Sequence, residues 1–277
     1  MANLDESTVH GFGVEWNRFD QTDVPAAELQ RLFDAYFRVF PWSSLPVGAV
    51  GFDLGSGSGR WAKLVAPRVG HLHCIDASAD ALAVARRNLA ELANCSFHHA
   101  SVDAMPLADA SADFGYSLGV LHHVPDTAQG IRAAVAKLRP GAPFLLYLYY
   151  ALENRPLWYR GLWRASDGLR RVMSVLPDRA RVVAADVLAG SVYWPLARAA
   201  RLVERLGAPA QGLPLYAYRS SSFYSMRTDA LDRLGTQLEQ RFTAQQIREM
   251  MERSDLERIQ FSSEPPYWCA VGYKSAK

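Results

Sequence analysis

The sequence predicts an α/β protein with a doubly wound sheet of about seven strands, an antiparallel last strand and a helical insertion after strand 5. From about residue 47 to residue 150, short apolar runs alternate with amphipathic runs, a pattern typical of parallel strands joined by helices. The alternation then stops for about 90 residues of arginine- and aromatic-rich helical sequence. It resumes near residue 241 with one helix and two strands.

The core elements follow one another at short intervals. The first strand is predicted at Val50–Leu54 and the fourth at Phe114–Leu118, because both are short apolar runs next to turn residues. The other strands before the insertion are predicted at residues 72–76, 95–100 and 143–150. Helices are predicted at residues 60–66, 79–92 and 128–138.

The two ends of the chain complete the expected organisation. Pro25 opens a helical pattern that ends at Pro41, and Thr243 is expected to cap a helix that runs to residue 254. Two strands follow, at residues 258–261 and 267–273. We therefore expect an N-terminal helical segment at residues 1–46, a core at residues 47–150 and 241–277, and an insertion at residues 151–240.

Composition and charge narrow the class of protein. With 49% apolar and 21% charged residues the chain is predicted to fold, and its net charge of +2 without a basic block does not indicate a nucleic-acid partner. No apolar run approaches the roughly 20 residues that span a bilayer, and no leader sequence is recognisable, so we expect a cytoplasmic protein without an integral membrane segment. The three cysteines lack C-x-x-C spacing, which indicates neither a disulfide framework nor a thiolate metal site.

A glycine-rich loop after the first strand carries the clearest chemical signal. The segment Asp53-Leu54-Gly55-Ser56-Gly57-Ser58-Gly59 follows an apolar strand and precedes a helix. Glycines let the backbone approach a ligand closely, and the free N–H groups of the helix N-terminus point to the same place. The second strand ends at Asp76, a position suited to bind ribose hydroxyls, and Asp103 follows the third strand.

These residues resemble the class I S-adenosylmethionine-dependent methyltransferases. The resemblance rests on the D-x-G-x-G-x-G motif, on Asp76, on Asp103-Ala104 and on the segment from Asp113 to Val124. It is nearest to the small-molecule methyltransferases of that family, and it covers residues 47–150 well and residues 241–273 by pattern. It implies a Rossmann-like fold, S-adenosylmethionine as cofactor and S-adenosylhomocysteine as product.

The resemblance also implies a role for each matching residue. The loop glycines would lie against the methionine part of the cofactor, Asp76 would bind the ribose, and Asp103 would accept from the adenine amino group. Leu118 and Gly119 would border the sulfonium and the substrate, and the aromatic N-terminal stretch with Trp16 would cover the cofactor. The expected cofactor-binding residues are Trp16, Asp53, Gly55, Gly57, Asp76, Ala77, Asp103, Ala104, Leu118 and Gly119.

Two other interpretations remain open. The segment Gly57–Ala62 fits G-x-G-x-x-A with Asp76 about 20 residues further on, which also describes an NAD-dependent dehydrogenase. Asp53, Asp103 and the ending of helix, strand and strand favour the methyltransferase instead. The second alternative is a non-catalytic protein that keeps the fold and the cofactor site. All three glycines and all three acids are present, so the loop itself gives no support to this alternative.

Catalytic residues are predicted where acceptor and cofactor should meet. His122 and His123 follow the fourth strand, and an imidazole can accept a proton near neutral pH; the structural alternative is that they bond to backbone groups. Tyr149 is the third candidate, and it could instead only pack against a helix. His71 and His73 share one strand face, but no third ligand has suitable spacing, so no metal site is predicted.

The insertion has an unusual composition. Residues 151–235 contain thirteen arginines, no lysine and seven acidic residues, a net charge of +6 against −4 for the rest. It could be a substrate cap that excludes water and binds an anionic or aromatic acceptor, or its aromatics could be core and its arginines solvated. A basic amphipathic helix on a membrane is the third interpretation, for residues 156–176. We expect direct in-line methyl transfer to a small molecule by a monomer or homodimer.

Overall fold

The computed structural model describes residues 3–276. Met1, Ala2 and Lys277, at the outer limits of the two expected terminal segments, lie outside the described residues. The strands are β1 (Val50–Leu54), β2 (His71–Asp76), β3 (Cys95–His99), β4 (Phe114–Leu118), β5 (Pro143–Tyr147), β6 (Leu256–Phe261) and β7 (Cys269–Lys274).

The helices that connect or precede these strands are mostly those that the apolar periodicity predicts. They are α1 (Glu6–Arg18), α2 (Ala26–Tyr36), α3 (Ala62–Val65), α4 (Ala79–Asn88), α5 (Thr127–Lys137), α6 (Leu157–Met173), α7 (Asp178–Leu188), α8 (Trp194–Arg205), α9 (Phe223–Gly235) and α10 (Ala244–Glu252).

The strands form one sheet in the order β3-β2-β1-β4-β5-β7-β6. Neighbours from β3 to β5 are parallel, whereas β7 runs antiparallel to both β5 and β6. The order reverses between β1 and β4, the topological switch point at which open α/β sheets bind ligands. The predicted α/β fold of about seven strands, with an antiparallel last strand and helices inserted after β5, is confirmed.

Local capping explains where several helices begin. The side chains of Ser78 and Asp126 accept hydrogen bonds from the backbone N–H groups of Ala81 and Gln129 at the start of α4 and α5. Thr243 caps α10 in a reciprocal capping box with Gln246, as its position before the apolar periodicity predicts. A side-chain oxygen at such a position satisfies N–H groups that have no partner within the helix.

Most boundaries differ from the predicted ones by a few residues, and three differences have a visible structural basis. β5 ends at Tyr147 rather than at residue 150, because the backbone of Phe242 pairs with Tyr149 and Tyr150 beyond that point. The helix that begins after Pro25 ends at Tyr36 rather than at Pro41, and the side chains of Phe37 and Phe40 pack instead around Trp42. In the insertion, the helical pattern from residue 179 to residue 206 predicts one helix, whereas the structure has α7 and α8 joined by a π turn at Ala189–Tyr193.

Two cross-strand pairs of a glycine and a phenylalanine set the packing between β1 and β4. Gly51 pairs with Phe114 and Phe52 pairs with Gly115. A Cβ atom added to Gly51 would lie 2.3 Å from the Phe114 ring, and one added to Gly115 would lie 2.2 Å from the Phe52 ring. Each glycine therefore leaves the space that the aromatic ring of the neighbouring strand fills, and both rings are fully buried.

The chain divides into two compact units. The first contains Gln30–Glu153 with residues 3–21 and 238–276, and therefore the whole sheet. Its buried core is built from side chains of the central strands, such as Phe52, Ile75 and Phe144, and from α5 and α10. The second unit contains Thr22–Leu29 and Asn154–Gln237, in which α6 and α7 pack against α9.

Within residues 3–276, none of the helices combines the length and the apolarity that crossing a bilayer requires.

Three histidines lie next to one another on β2 and β3. His73 Nδ1 lies 3.0 Å from His98 Nε2, and the rings of His71 and His73 are 4.7 Å apart. Partial burial and the two neighbouring histidines lower the pKa of His73 to about 4. No cluster that could hold a metal ion is found within residues 3–276.

We expect Gly115→Ala to destabilise the protein by about 2 kcal/mol, because overpacking a closely packed core typically costs about 1–3 kcal/mol. Gly161→Ala is the matched control, since this helical glycine has nothing within 4 Å of an added Cβ. The control should raise stability slightly, because alanine favours helix more than glycine does. Urea unfolding monitored by circular dichroism measures both changes; equal stability of the two variants would contradict the packing argument.

The histidine group should make the protein less stable in mild acid. In the unfolded chain His73 binds a proton below about pH 6.5, whereas in the folded protein its pKa is about 4. The free energy of unfolding is therefore independent of His73 protonation above about pH 6.5. It decreases as the pH falls toward 4, because in this range the unfolded chain binds the proton and the folded protein does not. His73→Gln should reduce the difference in unfolding free energy between pH 7.5 and pH 5, and an unchanged difference would exclude this residue as the cause.

Candidate active site

The carboxyl ends of β1, β2 and β4 bring the predicted cofactor residues to one edge of the sheet. The backbone N–H groups of Gly55 and Ser56 donate to the carbonyl of Ile75 over 2.8 and 3.0 Å. The N–H of Gly57 donates over 2.8 Å to Asp76 Oδ2. The glycine loop after β1 is therefore fixed to the end of β2.

Gly57 needs to be glycine for two reasons. Its φ of +53° lies in the left-handed region, and an added Cβ would lie 2.9 Å from the indole of Trp16. Trp16 belongs to α1, and the guanidinium of Arg60 lies 5.8 Å from its ring. The indole of Trp16 lies over Gly57; that it covers the cofactor stays a prediction.

Asp76 is positioned by backbone donors on both carboxylate oxygens. Oδ2 accepts from Gly57 and Oδ1 accepts from Ser78, each over 2.8 Å. Burial raises the pKa of Asp76, and these backbone hydrogen bonds oppose that increase. Because each carboxylate oxygen has two lone pairs, the side chain retains acceptor capacity for ligand hydroxyls. Ala77, the following residue, lies between the two anchored positions.

Asp103 lies on the exposed loop after β3 and has different partners. The Ser101 hydroxyl donates to Oδ1 over 2.6 Å and the backbone N–H of Asn3 donates to Oδ2 over 3.0 Å. The hydrogen bond from Ser101 is the main cause that lowers the pKa of Asp103. Asn3 also bonds twice to the backbone of Asp126. Asp103 is thus held by a contact with the N-terminal segment, and the N–H of the exposed Ala104 next to it donates to the carbonyl of Ser101 over 3.1 Å.

Asp53 is a buried carboxyl group at the end of β1. Burial raises the pKa of Asp53 to about 8. The charge of Asp76 adds to this increase, whereas the Tyr116 hydroxyl and the Arg60 guanidinium oppose it. Asp53 is therefore largely protonated at neutral pH, in contrast to Asp103 at the surface.

The end of β4 leaves open space. Gly119 has a φ of +80°, and an added Cβ would meet no atom within 4 Å. Its N–H donates to the carbonyl of Tyr147 over 3.1 Å, and the adjacent Leu118 is buried at the end of the strand. The backbone at this position can be approached closely by a bound molecule.

A continuous group of rings lies beside this edge, and we call it the aromatic cluster. Successive ring centroids are 3.9 to 6.1 Å apart. Its members are Phe12, Tyr36, Trp61, His122, His123, Tyr147 and Tyr149. Tyr147, the last residue of β5, and Tyr149 both belong to it.

All three predicted catalytic residues belong to the aromatic cluster and are buried. The ring of His122 stacks on Tyr149 at 3.9 Å. His123 Nδ1 lies 2.7 Å from the carbonyl oxygen of Leu238. Because a carbonyl can only accept, Nδ1 carries the proton, and Nε2 of the neutral imidazole is the proton acceptor.

The segment that follows the second unit supplies residues that sequence reasoning did not single out. Gln240 donates from its backbone to the carbonyl of His122 over 3.0 Å. The guanidinium of Arg241 lies 5.1 Å from the Tyr149 ring and pairs with Glu239 over 2.8 Å. No periodicity or motif marks these residues. Their position results from the return of the chain to the sheet at Phe242.

The residues at this edge suit a polar nucleotide-like cofactor. Among the described residues, Asp53 Oδ2 and the hydroxyls of Ser56 and Ser58 are buried without a hydrogen-bond partner, which is costly unless a ligand or water satisfies them. Asp76 has acceptor capacity for hydroxyls, and Gly119 leaves room for close approach. These features fit S-adenosylmethionine, which carries an amino acid group, a ribose and a base.

Comparison with known proteins agrees with this fit. Residues 52–146 match a family described as "Methyltransferase domain". Phosphoethanolamine N-methyltransferase 2 of Caenorhabditis elegans is 32% identical over 37% of this chain and 24% of its own length. The ubiquinone biosynthesis O-methyltransferase of Aromatoleum aromaticum is 29% identical over 49% of this chain and 58% of its own. The chain thus spans less than two thirds of these curated relatives.

Solved structures share the fold at low sequence identity. One is a protein of Bordetella parapertussis described as a possible exported protein, with a TM-score of 0.53 and 15% identity over 92% of this chain and 71% of that one. Another is from the complex of the Haloferax volcanii Trm112 methyltransferase activator with a methyltransferase, with a TM-score of 0.51 and 14% identity over 95% and 97%.

The family match covers β1 to β5, including the glycine loop, Asp76, Asp103 and Gly119. It favours the methyltransferase over the dehydrogenase interpretation of the same loop. Residues 52–146 therefore match a methyltransferase domain, which supports S-adenosylmethionine as the cofactor.

Proposed function

We propose that this protein transfers a methyl group from S-adenosylmethionine to a small-molecule acceptor. The observation that carries the proposal is the meeting of two groups of residues at one edge of the sheet. The glycine loop and Asp76 lie at the ends of β1 and β2, and the aromatic cluster with His123 lies beside the open space at Gly119. A cofactor and an acceptor can bind there side by side.

The residues that would hold the cofactor are those of the glycine loop, Asp76 and Asp103, with Trp16 covering Gly57. Asp76 would accept from the ribose hydroxyls while its backbone contacts keep it in place. Asp103, held by Ser101 and Asn3, would accept from the adenine amino group. Leu118, Gly119, Ala77 and Ala104 would line the site.

When bound, S-adenosylmethionine supplies an already activated methyl group for direct in-line transfer to the acceptor. The protein's own contribution is to align the acceptor, exclude water and accept a proton where the acceptor must lose one. Buried rings such as Tyr147 and Tyr149 provide a dry wall. Holding the two reactants together in this way can supply most of the rate enhancement.

His123 is the group that we expect to accept that proton. Its bond to the Leu238 carbonyl fixes the tautomer in which Nε2 is the acceptor, and it also orients the ring. His122 and Tyr149, whose rings stack, would support the ring of His123 and contact the acceptor. If His123 only packs and bonds to the backbone, removal of its imidazole should leave turnover intact.

The chemistry of the site favours an aromatic or anionic acceptor. Flat rings stack well against the aromatic cluster, and Arg241 next to Tyr149 can bind an anionic substituent. The insertion at residues 151–240 stays a proposed substrate cap on the basis of its arginine and aromatic content. Cytoplasmic location, the absence of nucleic-acid partners and a monomeric or homodimeric state also stay predictions, as does the non-catalytic alternative.

Asp76→Ala should weaken binding of S-adenosylmethionine and S-adenosylhomocysteine by about 10- to 100-fold, equivalent to about 1.4–2.7 kcal/mol, because charge-assisted hydrogen bonds are lost. Calorimetry measures the affinity. Asp109→Ala is the matched control, since this carboxylate is exposed and pairs with Lys137. NADH should not bind. Wild-type affinity in Asp76→Ala would remove this residue from the site, and NADH binding alone would restore the dehydrogenase interpretation.

His123→Gln should reduce kcat about 100-fold or more toward an acceptor that must lose a proton. Glutamine keeps a polar side chain of similar length, whereas its amide is too weak a base to accept the proton. Initial rates with radiolabelled S-adenosylmethionine and a panel of phenolic and carboxylated acceptors measure the effect, with cofactor affinity as the control. Full turnover in both His123→Gln and His122→Gln would exclude a histidine base.

A further inference from the structure

Exposed apolar side chains are concentrated in the second unit. Sixteen large apolar residues are strongly exposed among those whose exposure the structure describes, and fifteen of them belong to residues 154–237. Val47 is the exception. Scattered exposed apolar residues are normal on protein surfaces, whereas their accumulation on one part of a chain marks a surface that contacts something apolar.

Helix α6 presents an ordered row of these residues to solvent. Trp158, Leu162, Leu169 and Val172 are 57%, 51%, 42% and 62% exposed. Together with the exposed Ala165 they are spaced four, three, four and three residues apart, which places them on one face of the helix. We call these five residues the apolar stripe.

The buried side of α6 explains why the stripe faces outward. Arg170 is buried there, and its Nη1 donates to the carbonyls of Thr236 and Gln237 over 2.8 and 3.0 Å. Its Nη2 pairs with Asp167 over 2.8 Å. These contacts with the end of α9 fix the rotation of α6, so that a polar residue lies inside the unit and the apolar stripe lies outside.

Exposed arginines occupy a different side of α6. Arg160, Arg164 and Arg171 are exposed, and with 3.6 residues per turn their row lies about 140° around the helix from the centre of the apolar stripe. Arg171 also pairs with Asp167 over 3.0 Å. Trp and Leu on one face and arginines on the polar face are typical of helices that lie in the interface of a membrane.

Helix α8 repeats the arrangement. Leu196 and Leu202 are 42% and 58% exposed, and with Val192, Ala199 and Leu206 they form a second exposed row at helical spacing. Arg205 lies next to this row and is exposed as well. Two helices of one unit therefore combine outward apolar residues with arginines.

We propose that the second unit binds the surface of an anionic lipid membrane through the apolar stripe of α6 and the exposed arginines of the same helix. The stripe buries apolar side chains among acyl chains, and the guanidinium groups bind lipid phosphates, for which their planar donor geometry is well suited. The net charge of +6 over residues 151–235 supports an anionic partner. It also disfavours a second copy of the same surface, which would bring arginines against arginines.

The test is co-sedimentation of the full chain with vesicles of phosphatidylcholine alone or with one third phosphatidylglycerol. We expect at least tenfold stronger binding to the anionic vesicles. Leu162→Gln/Leu169→Gln should abolish it, whereas Val47→Gln, an equally exposed apolar residue elsewhere, should not. Arg160→Gln/Arg164→Gln should weaken binding, and Arg87→Gln/Arg253→Gln should leave it unchanged. Circular dichroism and cofactor affinity verify that each variant is folded.

Three outcomes would overturn the proposal. One is absence of binding to either vesicle, and another is binding that the stripe variant leaves unchanged. The third is a homodimer in light scattering that Leu162→Gln/Leu169→Gln dissociates, since a second copy would then cover the stripe. None of these results depends on methyl transfer, so the proposed function can stand or fall separately.

Discussion

The parallel alignment of β3, β2, β1, β4 and β5 is the constraint on which the candidate site depends. Because these strands run in one direction, the residues that follow them all emerge at one edge of the sheet. The close packing of Gly51 with Phe114 and of Gly115 with Phe52 sets the spacing at the switch point. The glycine loop after β1 and Gly119 after β4 take their positions from that contact. Residues from separate parts of the sequence are thereby brought together at one edge of the sheet.

The same edge holds its carboxyl groups in different environments. Asp103 is exposed and bonded to Ser101, so its pKa is lowered, whereas burial raises the pKa of Asp53. Asp76 is fixed by two backbone donors. Three acids that look equivalent in the sequence thus have distinct electrostatic properties. Their surroundings, and not their spacing, determine which of them is charged at neutral pH.

Much of the fold could be predicted from the sequence, because parallel strands and amphipathic helices leave a regular apolar pattern. The bounds of β1 and β4 agree with the predicted ones, and Thr243 caps α10 as expected. Residues whose position depends on contacts between distant segments could not be predicted. Glu239 and Arg241 approach Tyr149 only because Phe242 pairs with the end of β5. Likewise, the rotation of α6 depends on Arg170, whose partners lie 66 and 67 residues away.

The protonated state of Asp53 links ligand binding to proton release. At neutral pH this buried carboxyl group largely retains its proton, because burial raises its pKa to about 8. A ligand that brings a positive charge or hydrogen-bond donors to this carboxyl group lowers its pKa and expels the proton to the buffer. The heat measured for such binding therefore includes the ionisation enthalpy of the buffer, and the affinity increases with pH until Asp53 is ionised in the free protein. Calorimetry in two buffers of different ionisation enthalpy would count that proton.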